Sequence, residues 1–297
     1  MEHNNETKLK ITNSILEGVP SKDACKTIGV SQSYFRQILK ENNLKWIRSV
    51  HRIYELNHNY FDEIDTPEKA YWLGFLYADG HVSDTGALHL QLQGRDIEVL
   101  ENLKKAVNYN GNIKLRKIKN KDYYGLRIWS VQMCASLRRL GINRQKTKSP
   151  QIPIIKTIFY KDFIRGLIDG DGTIYYKRKS QTKMTSCVHI LIHRDCLPQV
   201  INMIESFTKN FTCSIANHHR TDYLKIISVD GNRQVLKLLD NIYDHSALFL
   251  NRKYNKFLEI KKFYTDNPIL LEKTERIQCQ SHRSQENLIL FPKISGS

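Results

Sequence analysis

The chain has 297 residues, 40% of them hydrophobic, and its forty-six Lys and Arg against thirty Asp and Glu give a formal charge of +16. That length and apolar content suit two domains, or one large domain with an appendage, around a sizeable core. No run of eighteen apolar residues occurs, which argues against a membrane-spanning helix, and the charge favours a polyanionic partner, nucleic acid above all.

The start, MEHNNETKLK, lacks the apolar stretch of a secretory leader. The six cysteines, Cys25, Cys134, Cys187, Cys196, Cys213 and Cys279, include no C-x-x-C pair. The expectation is an intracellular protein with reduced thiols, cytoplasmic in a prokaryote or phage and otherwise nuclear or organellar.

Residues 9–44 read as helical, with breaks at EGVP and TIGVS. Ala24, Cys25, Ile28, Val30, Phe35, Ile38 and Leu39 give two short helices one apolar seam around Gly29, in the manner of a helix-turn-helix. Ser21 and Ser31 are the candidate caps. The second helix presents Gln32, Ser33, Arg36, Gln37 and Lys40 outward, the amide, hydroxyl and basic groups that base edges and phosphates accept. A plain helical hairpin with a solvated polar face has the same pattern. The segment that follows carries Lys45, Arg48, His51 and Arg52 without Pro or Gly. It reads as a partly ordered connection, able to track a nucleic-acid backbone or simply to be solvated.

Thr66-Pro67-Glu68 is a helix start, with a capping hydroxyl, proline at the first helical position and an acid in the first turn. The helix runs into YWLGFLYADG (Tyr71 to Gly80), and the stretch recurs in altered form as FIRGLIDGDG (Phe163 to Gly172). Gly74 and Ala78 stand four apart on one face, and so do Gly166 and Gly170. Small residues at that spacing let another backbone come closer than the usual 8–10 Å between helix axes. Each helix ends in Asp-Gly, and Gly80 and Gly172 suit the left-handed position past a helix end. Asp79 and Asp171 then lie where the helix dipole disfavours a carboxylate. If the helices pair in parallel the two acids also repel, and a divalent cation would relieve both penalties.

The stretches after each helix match as well. ALHLQLQGRDIEVLENLKKAV and CVHILIHRDCLPQVINMIESF both read as an alternating strand entering a helix, with Arg95-Asp96 answering Arg194-Asp195. Two hairpins follow, in which LRIWSV answers LKIISV and Arg127 answers Lys225; then come helices, and the similar tails INRQK and LNRKYNKF.

These paired motifs resemble the signature of the LAGLIDADG homing endonucleases, in the monomeric form that carries both copies on one chain. The resemblance covers about residues 66–265. It implies an α+β fold of two pseudo-symmetric αββαββα halves forming a DNA-binding saddle, preceded here by the small all-α helix-turn-helix domain. The expected boundaries are 1–48 for that domain, 49–65 for a linker, 66–149 and 150–265 for the two halves and 266–297 for a tail.

The function implied is site-specific double-strand DNA cleavage, one phosphodiester per strand, leaving short 3′ overhangs, by a monomer on a long specific target. Asp79 and Asp171 would hold Mg²⁺ or Mn²⁺, completed by the backbone carbonyls of Ala78 and Gly170. Gln91 is a candidate for ordering water, with Ile190 or His189 as its counterpart. A lysine common in the family after the second hairpin is replaced by Gln132 and Asp230, and Arg127 and Lys225 are candidate substitutes. Tyr77 in the first motif answers Asp169 in the second. Lys114, Arg116, Lys117, Lys119 and Lys121 in one hairpin, and Tyr175, Lys177, Arg178, Lys179 and Lys183 in another, are the expected DNA contacts. A solvated, Lys-protected hairpin is the plainer account of such clusters.

Other readings share the scaffold: an RNA maturase assisting intron splicing, or a DNA-binding regulator that does not cleave. The intact acid pair weighs against the second and the helix-turn-helix, suited to duplex DNA, against the first. Zinc on Cys187, His189, His193 and Cys196 is a further reading, but their spacing matches no compact Cys/His motif.

Overall fold

The structure, a computed structural model, describes residues 2–16, 21–41, 54–142, 150–181, 183–219 and 221–267. The expected tail from 268 onward, most of INRQK, and Lys45, Arg48, His51 and Arg52 lie outside the described residues.

The chain opens with three helices, α1 (Glu2–Leu16), α2 (Ser21–Ile28) and α3 (Gln32–Glu41). Ile11, Ala24, Cys25, Phe35 and Ile38 form their shared core, with Ile28, Val30, Tyr34 and Leu39 packed against it. Gly29 turns the chain at φ +76°, in the left-handed region where glycine has no Cβ to clash. Ser31 accepts the Tyr34 N–H at 3.2 Å and so caps α3.

Next come α4 (Pro67–Asp79), β1 (His81–Val82), β2 (Ala87–Gln93), α5 (Ile97–Ala106), β3 (Lys114–Ile118), β4 (Lys121–Trp129) and α6 (Val131–Arg139). The same succession repeats as α7 (Tyr160–Asp171), β5 (Thr173–Ser180), β6 (Lys183–His193), α8 (Leu197–Phe207), β7 (Ser214–Asn217), β8 (Leu224–Asp230) and α9 (Asn232–Tyr243). A last helix, α10 (Asn251–Asp266), takes up the LNRKYNKF stretch. Strand order is β1-β2-β4-β3 in one antiparallel sheet and β5-β6-β8-β7 in the other. The expected α+β class and the repeated helix, hairpin, helix, hairpin, helix pattern are therefore present.

Two compact units divide the chain, Met1–Tyr60 with Ser83–Ala135 and Phe61–Val82 with Ser136–Ser297. In the first, Leu88, Leu90 and Leu92 alternate inward from β2, opposite Ile128, Leu126 and Tyr124 of β4. Val99, Leu100 and Leu103 of α5 are buried as well. The β3–β4 turn has Lys119 at φ +48° and Asn120 at φ +59°, the doubly left-handed turn that matches strand twist in a two-residue hairpin.

In the second unit α4 and α7 pack together along their lengths. Thr66 accepts the Lys69 N–H at 3.2 Å and Pro67 occupies the first turn, so the start of α4 is the one its sequence predicts. Burial is continuous from Ala70 to Ala78. A Cβ on Gly74 would fall on the Phe163 carbonyl oxygen, and one on Gly166 would fall on the Tyr71 carbonyl oxygen and 2.7 Å from the Phe75 nitrogen. The two helices thus meet backbone to backbone, which only glycine at those positions allows.

Candidate metal and nucleic-acid site

Asp79 and Asp171 are the last residues of α4 and α7, and both are exposed although the residues before them are largely buried. Gly170 lies against Ala78: a Cβ on Gly170 would overlap that of Ala78. The ends of the two helices are therefore in contact where the acids emerge. The glycines that follow differ from expectation. Gly80 has φ −74° and Gly172 φ −75°, both extended and not left-handed. Glycine is needed there for space instead, because a Cβ would come 2.5 Å from the Leu76 carbonyl oxygen or 2.6 Å from that of Ile168. Each chain folds back tightly on its own last turn, with Gly80 N–H donating to Leu76 O and Gly172 N–H to Ile168 O.

Lys253 of α10 is the residue the sequence reading missed. Its ammonium is buried and donates to the carbonyls of Ile168 at 2.5 Å, Gly172 at 2.6 Å, Asp169 at 2.8 Å and Gly170 at 3.2 Å. The last turn of α7 leaves carbonyls without helical partners, and a cation there also suits the helix dipole. Burial pushes the Lys253 amine down to about 8, an effect opposed chiefly by Asp169 and also by Asp79 and Asp171. The ammonium thus lies within electrostatic reach of both acids at the helix ends.

Asp169 faces the opposite way from Asp171. It is buried, accepting from Tyr243 Oη at 2.6 Å, the Leu250 N–H at 2.8 Å and Tyr71 Oη at 3.1 Å. Burial raises its carboxyl above the ordinary range, against the pull of these hydrogen bonds and of Lys253. Arg165, one turn earlier, pairs with Asp162 at 2.8 Å and donates to Ile242 O and Leu248 O, each at 2.9 Å. Together these groups bolt the end of α9 and the start of α10 onto α7. The partner letter in the first motif does something else: Tyr77 is buried, with its hydroxyl 3.6 Å from Cys196 Sγ and its ring packed on Phe163. Burial raises the Tyr77 phenol, and it stays protonated.

Two carboxylates with neighbouring backbone carbonyls make an oxygen-only donor set, the kind that hard divalent cations take. Gly170 O keeps a second lone pair beside its bond from Lys253. Asp79, Asp171, Ala78 and Gly170 are thus chemically suited to such an ion.

Strand register revises the correspondence between the halves. Gln93 ends β2 before the turn Gly94–Asp96, and His193 ends β6 before the turn Arg194–Cys196. Counting back with burial in phase, Gln91 corresponds to Leu191, not to Ile190 or His189. Arg127 pairs with His89, whereas Lys225 pairs with Ile192 and it is Ser228 that faces His189. The similarity of LRIWSV to LKIISV is therefore displaced by three residues from the structural match. Lys225 instead donates to Asn217 Oδ1 at 2.6 Å.

In the first unit, Gln91, Arg127, Lys114 and Arg116 come together around a pocket of about 270 Å³ on the face of the sheet opposite its leucines. Arg127 stacks over Trp129, 4.2 Å from the ring centre. Lys117 alternates to the other face, while Lys119 and Lys121 mark the hairpin turn. In the second unit, Tyr175 and Lys177 share the exposed face of β5, the exposed Lys179 lies where the pairing of β5 with β6 becomes irregular, and Lys183 begins β6. Arg178 does not join them: it points over the Phe263 ring of α10 at 5.5 Å. On α3, Gln32, Ser33, Arg36, Gln37 and Lys40 are all exposed.

His193 and Cys196 do not approach a common centre with Cys187 and His189. His193 accepts the Asp195 N–H and stacks on Tyr223, and Cys196 is buried beside Tyr77. Among the described residues the five cysteines are free thiols and no helix is long and apolar enough to cross a membrane.

Comparison with solved structures finds the LAGLIDADG homing endonuclease I-LtrWI bound to target DNA, at 12% identity over 78% of this chain and 100% of that one, with a TM-score of 0.46. The meganuclease I-SmaMI bound to uncleaveable DNA matches at 13% identity, over 74% of this chain and 98% of that one, with a TM-score of 0.45. Full-length DUF199/WhiA from Thermatoga maritima matches at 16% identity, over 77% and 72%, with a TM-score of 0.46. No protein-family model and no curated protein matches the chain.

Proposed function

We propose that the protein is a metal-dependent, site-specific endonuclease acting on double-stranded DNA. The observation that carries this reading is the pair of exposed acids, Asp79 and Asp171, at the ends of two helices packed backbone to backbone. Nothing in helix stability calls for a carboxylate at either place, since the dipole there disfavours it.

In this reading Asp79 and Asp171, with Ala78 O and Gly170 O, would hold Mg²⁺ or Mn²⁺. Bound there, such an ion would supply an acidified water and would stabilise charge on the phosphate and the departing 3′ oxygen. The protein's own share is positional. Gly74, Gly166 and Gly170 bring the helix ends together, Lys253 fixes the last turn of α7, and Gln91 and Arg127 are auxiliary polar groups. Lys225, three residues from the register match to Arg127, is the candidate auxiliary group of the second half. Lys114, Arg116, Tyr175, Lys177, Lys179 and Lys183 would contact DNA, with Lys119 and Lys121 at a hairpin tip and α3 extending the footprint through Gln32, Ser33, Arg36, Gln37 and Lys40. One phosphodiester per strand is cut, leaving short 3′ overhangs, by a monomer on a long target.

The test incubates the protein with the DNA flanking its own gene, joined as the uninterrupted sequence, with Mg²⁺ or with EDTA. Metal-dependent double-strand cleavage is expected, lost in Asp79→Asn and Asp171→Asn with DNA affinity retained. Binding without cleavage under every divalent metal tried would refute the reading.

A further inference from the structure

The second sheet carries a group of side chains that the nuclease reading does not use. Cys187 and His189 are two apart on β6 and so point to one face, the face opposite the buried Ser186, Val188 and Ile190. Register places Asp230 of β8 directly across from Cys187, and Ser228 across from His189. The Cys187 sulfur, a His189 ring nitrogen and an Asp230 carboxylate oxygen all lie within 4.8 Å of one another. Ser228 Oγ donates to Asp230 Oδ2 at 2.8 Å and orients that carboxylate, the kind of support that metal ligands receive from their surroundings. Cys187 and His189 are half-buried and Asp230 is exposed, so one side of the group is open to solvent. The corresponding positions of the first sheet are Ala87, His89 and Trp129, with a single ligand type among them.

We propose that Cys187, His189 and Asp230 form a binding site for a zinc-class transition metal, separate from the aspartate pair, with three protein ligands and an outward fourth position. Thiolate and imidazole select zinc or cobalt over magnesium, whereas the oxygen donors of Asp79 and Asp171 do the reverse. Without metal, burial and the neighbouring Asp230 raise the Cys187 thiol, so it keeps its proton. Binding transfers that proton to solvent. The group then loses the thiol proton as it gains the ion's two positive charges. Tyr175 of β5 pairs with Cys187, so the loaded ion lies on the same strand face as Tyr175 and Lys177, with its open position available to water or to a phosphate oxygen. The site does not depend on the protein being a nuclease.

Cobalt(II) titration of the full-length protein near neutral pH tests this. Expected are a thiolate-to-cobalt charge-transfer band in the near ultraviolet and tetrahedral d–d bands in the visible, saturating at one equivalent and abolished by added zinc. Cys187→Ser removes the near-ultraviolet band. His189→Ala and Asp230→Asn, which leave the thiol in place, weaken cobalt affinity by about tenfold or more. The double variant Asp79→Asn, Asp171→Asn keeps both bands, and circular dichroism confirms that each variant is folded. No charge-transfer band at saturating cobalt, a band that survives in Cys187→Ser, or unchanged affinity in both His189→Ala and Asp230→Asn would overturn the proposal.

Discussion

Replacing Lys253 by methionine keeps the length of the apolar stem but removes the donor that closes the end of α7. Of its four carbonyl partners, Ile168 O retains the Gly172 N–H at 2.9 Å, and Gly170 O is the most distant at 3.2 Å. Asp169 O and Gly172 O, at 2.8 and 2.6 Å, are left buried without the ammonium. A buried acceptor stripped of its donor costs about 1–3 kcal/mol, so the two together cost roughly 2–6 kcal/mol. Methionine also relieves the penalty of burying a cation, and the net loss is about 3 kcal/mol. At ~2–4 °C per kcal/mol this lowers Tm by ~6–12 °C, measurable by differential scanning fluorimetry or calorimetry. A fall of less than ~2 °C would refute the reasoning, since it would mean that water or a relaxed turn satisfies those carbonyls equally well. The pH dependence carries an independent signature. Folded Lys253 titrates at about 8 and its ordinary value is 10.5, so between these pH values the unfolded chain binds more protons. The lysine's contribution to unfolding free energy therefore rises with pH across that window and is constant below it. Lys253→Met should lack that rise; an identical slope in the two proteins would contradict the assignment.

Gly166→Ala places a methyl group 2.7 Å from Phe75 N and against Tyr71 O. Overpacking of about 1–3 kcal/mol then outweighs the ~0.5–1 kcal/mol gained in helix propensity. Tm should fall by several degrees, while Gly125→Ala, whose added Cβ meets nothing closer than 3.9 Å, leaves it nearly unchanged. DNA affinity, measured by fluorescence anisotropy, should decline with salt at a log–log slope of about −0.9 per neutralised phosphate; a nearly flat response would count against a groove-spanning contact. Deleting residues 1–50 should weaken DNA binding without moving the cut, and a displaced cut mapped by sequencing the ends would show that these residues position the cleavage.

Some of this protein is written in its letters alone. The duplication, the helix start at Thr66-Pro67, the small residues that let α4 and α7 touch, and the hairpin and helix order all follow from local spacing, because side-chain period and cap chemistry act over a few residues. The acids at 79 and 171 stand out for the same reason: a carboxylate at a helix end is locally unfavourable. What depends on residues far apart in sequence stayed hidden. Lys253 meets the end of α7 across more than eighty residues. Asp169 is told apart from Asp171 only by Tyr71, Tyr243 and Leu250, which arrive from three separate segments. Register, too, is a tertiary property. Matching LRIWSV to LKIISV by letters brought Arg127 and Lys225 together, but the pairing of β4 with β2 and β8 with β6 sets Ser228 opposite His189 and Asp230 opposite Cys187. Letter similarity reports which residue types a strand tolerates, whereas hydrogen-bond register decides which side chains share a face, and a ligand set requires the second.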